Sequence, residues 1–248
     1  MSKSHHRPIA RIGPFQVTAE RLPQSGDSQS LIINTLNPHS YVVALKDQDF
    51  QNALMGADVL VPDGIGVVLA ARLLRQPRIQ RITGYDLFMH FMCVANDQNR
   101  TVAFLGSTRP VLDSIKARVQ SDFPNVHVVS LSPPYRSEFS KAESAEMTAF
   151  VRQHTPFLLC VGMTAPKQEK WVHANRHKLD ADVIINIGAV FDFYAGTVRR
   201  PAQVWQSLGL EWFVRLIGEP RRLWRRSFIS LPIFLAEVLK ERLKIGRA

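Results

Sequence analysis

The sequence predicts a Rossmann-like, doubly wound α/β fold with a mainly parallel sheet, followed by a basic amphipathic helical C-terminal appendage. Short apolar segments alternate with segments of helical length from residue 31 to residue 188. This alternation is typical of βαβ units, whose parallel strands are covered by helices on both faces. Positive charge is concentrated after residue 198. We therefore expect an α/β catalytic domain over residues 1–198 and an appendage over residues 199–248.

The individual elements follow from apolar runs, turn residues and helix-start signals. Residues 8–19 alternate weakly and predict a short hairpin. Strands are then expected at 31–37, 59–62, 101–107, 125–131, 156–163 and 182–188. Pro38 favours the first turn of one long helix over 39–55. Further helices are expected at 65–75, from after Gly84 to 96, at 109–122 and 141–154, and from the TAPKQEKW segment to residue 178.

The composition narrows the class of protein. With 46% hydrophobic and 21% charged residues, the chain has enough apolar side chains for a folded core. Residues 199–248 carry 11 Lys and Arg against 4 Asp and Glu, which accounts for most of the net charge of +10. A basic surface of this kind fits an anionic membrane face, a nucleic acid or a phosphorylated substrate.

Neither end of the sequence predicts a secretion signal or a membrane span. The start, MSKSHHRP, has no apolar h-region, so no signal peptide is expected. The apolar run over 228–239 is interrupted by Pro232 and is shorter than the ~20 residues that a spanning helix needs. Cys93 and Cys160 lie in separate apolar segments and are expected to be buried free thiols of a reducing cytosol.

Glycine and small polar residues are concentrated where the predicted strands end. Because a doubly wound sheet binds its ligand beyond the carboxyl ends of its strands, these residues predict one shared polar site, with phosphate groups close to the backbone. Taken singly, each also fits ordinary turn or helix-cap chemistry. The strand-end turns hold Thr35, Asn37, Asp63, Gly64, Gly106, Ser107, Thr164, Lys167, Gln168, Glu169, Gly188 and Asp192.

Asp63 and Arg81 are the candidates for a direct chemical role. Asp63 stands between a proline and a glycine at a strand end, and an exposed carboxylate there suits a general base. The alternative is that it caps the next helix. Arg81 precedes a helix start, where a guanidinium beside helix amides fits a leaving diphosphate. Its alternative is an ion pair with Asp86.

Other motifs are weaker. The DGIG segment at 63–66 has only two glycines of a dinucleotide fingerprint, so an NAD-dependent enzyme is poorly supported. Asp47–Asp49 and Asp180–Asp182 match the DxD pattern of metal-dependent sugar transferases, but one lies within the long first helix and the other precedes a strand. Both fit solvated surface. His173 and His177 have metal-pair spacing on a helix but no third ligand, which favours a surface pair and predicts no metal site.

The C-terminal segment interleaves arginines with large apolar residues at helical spacing. Arginine and tryptophan together are typical of an interfacial helix on anionic lipid. A core-packed terminal helix and a nucleic-acid surface with stacking aromatic rings are the alternatives. The residues expected to contact the membrane or acceptor are Arg215, Arg221, Arg222, Trp224, Arg225 and Arg226. The apolar face is expected to continue through Phe234, Leu235, Val238, Leu239 and Leu243.

Seven segments carry a family resemblance. In chain order they are INTLNPHSY (33–41), ADVLVPDGIGVVLAAR (57–72), RITGYDLF (81–88), AFLGS (103–107), APKQEKW (165–171), IGAVFDFYAGTVRRP (187–201) and GLEWFVRLIGEPRRLWRR (209–226). Together they resemble the WecG/TagA/CpsF family of bacterial glycosyltransferases, glycosyltransferase family 26. Its members are inverting, metal-independent enzymes that move a sugar from a UDP-sugar to a lipid-diphosphate-linked sugar on the cytoplasmic membrane face.

The resemblance implies a role for each matching residue. Asp63 looks like the general base that deprotonates the acceptor hydroxyl, and Arg81 would stabilise the leaving diphosphate. The substrate-binding residues so implied are Thr35, Asn37, Gln168 and Asp192, to which the strand-end glycines Gly64 and Gly106 are added. The resemblance also implies no metal or other cofactor, a UDP-sugar and a polyprenyl-diphosphate-linked acceptor as substrates, and a peripheral position on the inner face of the plasma membrane.

The donor sugar is less well defined than the family. Family members use N-acetylmannosamine, its uronic acid, glucose or galactose. The MTAPKQEKW and FDFYAGT variants resemble the glucosyltransferases of xanthan-type exopolysaccharide assembly, which favours β-1,4 glucose transfer. N-acetylmannosamine or N-acetylmannosaminuronate transfer is the alternative, and a nucleic-acid-binding regulator that uses the basic tail is a more remote one. Thr164 departs from the family pattern, which usually has glycine there.

Overall fold

The computed structural model describes residues 9–18, 30–198, 204–205, 211–218 and 224–245. Their strands are β1 (Ile9–Ile12), β2 (Phe15–Thr18), β3 (Leu31–Leu36), β4 (Val59–Pro62), β5 (Thr101–Gly106), β6 (His127–Leu131), β7 (Leu158–Gly162) and β8 (Val183–Asn186). Their helices are α1 (Pro38–Ala44), α2 (Gln48–Met55), α3 (Ile65–Leu73), α4 (Gly84–Asp97), α5 (Arg109–Asp122), α6 (Lys141–His154), α7 (Lys167–Asn175), α8 (Gly188–Ala195), α9 (Glu211–Gly218) and α10 (Leu231–Ile245).

A six-stranded sheet in the order β4-β3-β8-β7-β5-β6 forms the centre of the molecule. Every neighbouring pair in it is parallel, so all six strands end at the same edge. The expected parallel α/β sheet is therefore confirmed. The expected hairpin is also present as an antiparallel pair of β1 and β2.

Helices cover both faces of the sheet because successive strand residues point to opposite sides. Ile33 and Ile185 pack with residues of α4, α5 and α8 on one face. Ile32 and Ile184 pack with residues of α6 and α7 on the other. On this second face a further cluster joins the β1–β2 hairpin, α1, α3 and α10 around Leu36. The predicted doubly wound arrangement is confirmed.

Two element predictions were wrong. The single helix expected over 39–55 is two helices, because Asp47 has extended backbone and its carboxylate accepts a hydrogen bond from Phe50 N at 3.0 Å, which caps α2. Asp47 therefore begins a helix instead of lying inside one. Gly188 and Asp192 were expected in a turn, but both lie in α8. Val190, Phe191 and Tyr194 are buried on one side of α8, so the core stabilises helix directly after β8.

The two cysteines differ from each other. Cys160 is buried in β7, as expected, whereas Cys93 is exposed on α4. The prediction for Cys93 was wrong because its apolar sequence neighbours share the helix but not the same face. Met92 is fully buried and faces the core, while the next residue on a helix points about 100° away.

The C-terminal helix α10 packs on the body of the protein with one side. Phe234 and Val238 are completely buried, and the Phe234 ring contacts Tyr41 edge-on with centroids 5.0 Å apart. Glu241 accepts a hydrogen bond from Gly13 N in the β1–β2 turn at 2.9 Å. The core-packed alternative is therefore right for this side, whereas Leu235, Leu239 and Leu243 are exposed as the interfacial prediction requires. None of the helices in the described part of the chain is long and apolar enough to span a bilayer.

Candidate active site

Four strands that are consecutive in the sheet bring the predicted site residues to one edge. The chain leaves β4 at Asp63, β3 at Asn37, β8 just before Gly188 and β7 just before the segment that holds Gln168. Neighbouring strands lie ~4.8 Å apart, so these four ends span about 14 Å. The predicted polar residues therefore lie along one edge because their four strands are neighbours in the sheet.

Main-chain hydrogen bonds fix Asp63 at the end of β4. Its N–H donates to Leu36 O at 2.8 Å, which keeps Asp63 beside the end of β3. Ile82 N donates to Pro62 O at 2.9 Å, so the segment that carries Arg81 is held at the same strand end. Asp63 and Arg81 are both partly exposed. Their backbones are thus placed close together with both side chains accessible to solvent.

Asp63 does not occupy the N-cap position of the next helix. Gly64, which has no side chain, is the N-cap of α3. Gly64 has φ +97°, a conformation in which any other residue would be strained, and nothing lies within 4 Å of where its Cβ would be. The chain therefore turns sharply beside Asp63 and leaves open space there.

Thr35 and Asn37 occupy different structural positions from each other. Thr35 lies within β3, paired with Val61, and not in the strand-end turn where it was expected. Asn37 is the N-cap of α1, and its Oδ1 accepts from His39 N at 3.0 Å and Ser40 N at 2.9 Å. The capping alternative is right for this oxygen. Since capping does not use the amide nitrogen, a substrate role for Asn37 stays a prediction.

The start of α4 faces the end of β8. A Cβ added to Gly84 would lie 3.1 Å from the Ile187 side chain, so the first turn of α4 packs closely there. Asp86 Oδ2 accepts from Thr83 N and from Thr83 Oγ1, both at 2.8 Å, in a capping box. The Asp86 carboxylate is thus used to start the helix. Helix amides and Arg81 share this region, as the sequence predicted for a diphosphate site.

Gln168 lies buried between the ends of β7 and β8. Its Oε1 accepts from Met163 N at 3.2 Å, and its Nε2 donates to Glu169 Oε1 at 2.9 Å. A Cβ on Gly188 would lie 3.0 Å from Gln168 Oε1, so any larger residue there would press against the Gln168 amide. Gln168 is the second residue of α7 and only 4% exposed, whereas the sequence placed it in an accessible turn.

Sequence reasoning counted Glu169 among the strand-end polar residues but missed its environment. Its side chain is buried, and burial raises the pKa of its carboxyl to about 7. Sequence reasoning also missed two buried polar residues of this edge, Asn34 and Asn186. Asn186 Nδ2 on β8 donates to Asn34 Oδ1 on β3 at 2.6 Å. The signal was present, because an asparagine ending an otherwise apolar buried strand must find a hydrogen-bonding partner.

Three other predicted residues have clear local structure. Thr164 has φ +69°, the left-handed region that favours glycine and is uncommon for a β-branched residue. Gly106 has φ +124°, and an added Cβ would collide with Gly162 O of the neighbouring strand. Strand packing therefore requires glycine at this position, and a substrate role for Gly106 stays a prediction. Asp192 lies in α8, partly exposed, and its carbonyl oxygen accepts from Thr197 Oγ1 at 3.1 Å.

The predicted membrane residues are only partly described. Arg221 and Arg222 lie outside the described residues, and for Arg215 and Arg226 only the helical backbone is described. Trp224 and Arg225 are exposed, with the guanidinium 5.9 Å from the centroid of the indole ring. Both side chains are thus accessible to solvent.

The weaker motifs occupy the surface, as expected. Asp47 and Asp49 lie 3.1 and 3.7 Å from Lys170 Nζ, and Asp182 lies 2.6 Å from Arg100. His173 and His177 are both exposed; His173 lies in α7, and His177 lies in the 3-10 helix Arg176–Lys178 that follows α7. Within the described ranges, no three His, Cys, Asp or Glu side chains are grouped as a metal site would need.

The fold is that of a doubly wound α/β protein, and the candidate site lies at the carboxyl ends of β4, β3, β8 and β7. The pattern described as the glycosyl transferase WecG/TagA/CpsF family matches residues 9–248. The chain belongs to this family and is a glycosyltransferase, which confirms the resemblance.

Curated relatives match most of the chain. One from Bacillus subtilis strain 168 is 33% identical over 210 residues, which is 85% of this chain and 79% of the relative. One from Staphylococcus aureus strain MW2 is 28% identical over 221 residues, covering 89% and 84%. Both are described as N-acetylglucosaminyldiphosphoundecaprenol N-acetyl-beta-D-mannosaminyltransferase.

Proposed function

We propose that this protein transfers N-acetylmannosamine from its UDP derivative to a sugar linked through diphosphate to a polyprenyl lipid. The observation that carries the proposal is the placement of Asp63 and Arg81 at one strand end of a family glycosyltransferase. The names of both relatives support N-acetylmannosamine as donor sugar and an N-acetylglucosaminyl-diphospholipid as acceptor. These names favour N-acetylmannosamine, which the sequence raised as the alternative. The MTAPKQEKW and FDFYAGT variants had favoured glucose.

In this proposal the reaction is a single displacement. Asp63 removes the proton from the acceptor hydroxyl as its oxygen attacks the anomeric carbon from the face opposite UDP, so the configuration inverts. The bond from the anomeric carbon to the diphosphate oxygen breaks, and UDP leaves. Arg81 and the amides at the start of α4 stabilise the departing negative charge. The open side of Gly64 leaves room for the acceptor beside Asp63.

The donor would occupy the other end of the edge. Gln168 and Asp192 are carried by α7 and α8, whose starts follow β7 and β8. A donor spanning from these helices to Arg81 would place its diphosphate over the end of β8 and its sugar toward Asp63. Thr35 on β3 and Asn37 directly after it lie between the two ends and would contact the sugar. No metal ion is required, because Arg81 and helix amides supply the positive charge.

Two exposed apolar stripes support a membrane-facing surface next to this site. Ile65, Leu69 and Leu73 are exposed at one-turn spacing on α3, which begins directly after Asp63 and Gly64. The second stripe is Leu235, Leu239 and Leu243 on α10, which packs against α3. Exposed basic residues accompany both helices: Arg72, Arg75, Arg78, Lys240 and Lys244. Apolar and basic residues together bind anionic lipid surfaces, which fits a peripheral protein on the inner membrane face.

Product analysis tests the proposed reaction. The purified chain would be incubated with UDP-N-acetylmannosamine, UDP-glucose or UDP-galactose, each with N-acetylglucosaminyl-diphospholipid or glucosyl-diphospholipid. We expect mass spectrometry to find a new disaccharide lipid only with UDP-N-acetylmannosamine and the N-acetylglucosaminyl acceptor. Transfer of glucose to the glucosyl acceptor would overturn the donor assignment. Salt-sensitive RNA binding with no transfer from any donor would favour the nucleic-acid-binding regulator instead.

Vesicle sedimentation tests the membrane surface. Removing the whole tail would also remove Phe234 and Val238 from the core, so a point change is a cleaner probe. Leu239→Glu places a negative charge on the exposed stripe of α10, and we expect weaker binding to phosphatidylglycerol vesicles than the wild-type chain shows. Met55→Glu is the matched control, because Met55 on α2 is 56% exposed and Leu239 is 51% exposed. Equal binding by both variants and the wild type would contradict this surface.

A further inference from the structure

The buried polar residues beneath the donor half of the site form two directed hydrogen-bond chains. The first starts at the carbonyl oxygen of Ala53, which can only accept. Asn34 Nδ2 donates to it at 3.1 Å, and Asn34 Oδ1 accepts from Asn186 Nδ2 at 2.6 Å. Since Ala53 O fixes the orientation of Asn34, it also fixes that of Asn186. The first chain therefore ends in the Asn186 Oδ1 atom.

The second chain starts at a group that can only donate. Met163 N donates to Gln168 Oε1 at 3.2 Å, which orients the Gln168 amide. Gln168 Nε2 then donates to Glu169 Oε1 at 2.9 Å. The second chain therefore ends in the Glu169 Oε2 atom. Both chains end in acceptors.

These two terminal oxygens are buried side-chain atoms without a hydrogen-bonding partner among the described residues. They also belong to the same region. Asn186 follows Ile184 by two residues, so it points to the sheet face on which Trp171 and Val172 of α7 pack. Gln168, the neighbour of Glu169, reaches the Cβ position of Gly188, two residues beyond Asn186. Burying two unpaired acceptors is costly, and one shared hydrogen would satisfy both.

We propose that Glu169 is a positioning residue whose protonated carboxyl donates a hydrogen bond to Asn186 Oδ1. This bond fixes Glu169, and Glu169 in turn holds the Gln168 amide in place for the nucleotide-sugar. The role of Gln168 toward the nucleotide-sugar rests on the proposed function. Ionised, Glu169 would present a second acceptor to Asn186, and the two chains would separate. Gln168 is bonded directly to Glu169, so its amide would move as well.

The surroundings of Glu169 agree with a neutral carboxyl. Burial raises its pKa to about 7, with no charged neighbour among the causes. The charged groups on the elements around α7 are engaged elsewhere or exposed. Three ion pairs use the nearby cations: Lys170 with Asp47 and Asp49, Arg176 with Asp58, and Arg136 with Glu143. The Lys167 ammonium donates to Arg136 O. His173 is exposed, and Asp192 is partly exposed.

Infrared spectroscopy of the ligand-free protein tests the proton directly. Glu169→Gln replaces the O–H donor with an amide N–H of similar shape, so it reproduces the protonated state. A wild-type minus Glu169→Gln difference spectrum at pH 6 should contain the carbonyl-stretching band of a protonated carboxylic acid, and the band should vanish by pH 8.5. Absence of that band at pH 6 overturns the proposal, whether or not the protein binds any nucleotide.

Calorimetric titration with UDP tests the positioning role. Between pH 6 and pH 8.5 the ratio of the wild-type Kd for UDP to the Kd of Glu169→Gln should rise by roughly tenfold. A tenfold change in Kd is the effect expected for the loss of one buried hydrogen bond. Comparing the two proteins cancels the ionisation of UDP itself. Glu169→Ala should bind weakly at both pH values. Equal pH dependence in the wild type and Glu169→Gln overturns the positioning role. If no form binds UDP, the proposed function fails, and the infrared band alone decides whether Glu169 holds the proton.

Discussion

On the β4–β3 side of the sheet edge, Asp63 and Arg81 are partly exposed, whereas on the β8–β7 side Gln168 and Glu169 are almost completely buried. The exposed side holds its residues by main-chain bonds, and open space lies beside Gly64. The buried side holds its residues by side-chain bonds among amides and a carboxyl. This difference fits the two tasks we propose. An acceptor delivered from a membrane needs an open approach, while a soluble donor benefits from a rigid, preorganised site.

Removing a large side chain beneath the exposed side should have the largest effect on stability. Phe234→Ala deletes a ring that is completely buried against Tyr41, and we expect the free energy of unfolding to fall by about 3–5 kcal/mol. Leu235→Ala is the matched control, because its side chain is exposed and should change stability by less than about 0.5 kcal/mol. Urea denaturation measures both. Equal losses would mean that α10 does not pack with Phe234 inward.

The buried side should show a pH-dependent stability. The pKa of Glu169 is raised from 4.5 to about 7 by burial, so the folded protein holds this proton more tightly than the unfolded chain. The stabilisation is present at low pH and is lost as the pH rises through 7. Between pH 5 and pH 8 the free energy of unfolding should fall by about 2.5 kcal/mol more in the wild type than in Glu169→Gln.

Denaturation at several pH values measures this difference. Subtracting the curve of Glu169→Gln removes the contributions of all other titrating groups. Parallel curves for the two proteins would show that Glu169 does not titrate in this range.

The loop after β7 should show the smallest effect. Thr164 is exposed at φ +69°, a conformation that strains a β-branched residue. Thr164→Gly should therefore raise the free energy of unfolding by about 1 kcal/mol, after allowance for the greater backbone freedom of glycine. Ser107→Gly is a control outside this loop, because Ser107 has φ +58° and glycine would relieve the backbone strain there as well. A destabilised Thr164→Gly variant would show that the threonine side chain makes a contact that outweighs the strain.

The exposed side of the edge could be predicted from sequence more fully than the buried side. Asp63 stands between proline and glycine after an apolar run, and the parallel sheet places such a residue at the carboxyl edge. Glu169 gave no comparable signal, because a charged residue in a helix is exposed by default. Gln168, to which Glu169 is hydrogen-bonded, lies against Gly188, so residues from different βα units meet there. The sequence could not show that contact.

Similar reasons explain the other errors. The helix α8 was missed because an aromatic run after a glycine was interpreted as a turn, although Phe191 and Tyr194 have helical spacing. The apolar residues of α10 were interpreted as one face, but Phe234 is buried and Leu235 is exposed. Periodicity alone does not show which stripe of a helix with two apolar sides faces the core.

The steady-state turnover of Asp63→Asn tests the central claim, that Asp63 is the base of a glycosyl transfer at this edge. Asparagine keeps the size of the side chain, so the fold should be retained, with an unchanged far-ultraviolet circular dichroism spectrum. General-base removal typically costs ~10²–10⁴ in rate. We therefore expect kcat for transfer from UDP-N-acetylmannosamine to the N-acetylglucosaminyl-diphospholipid to fall at least a hundredfold. A kcat within a few-fold of the wild-type value would contradict the account.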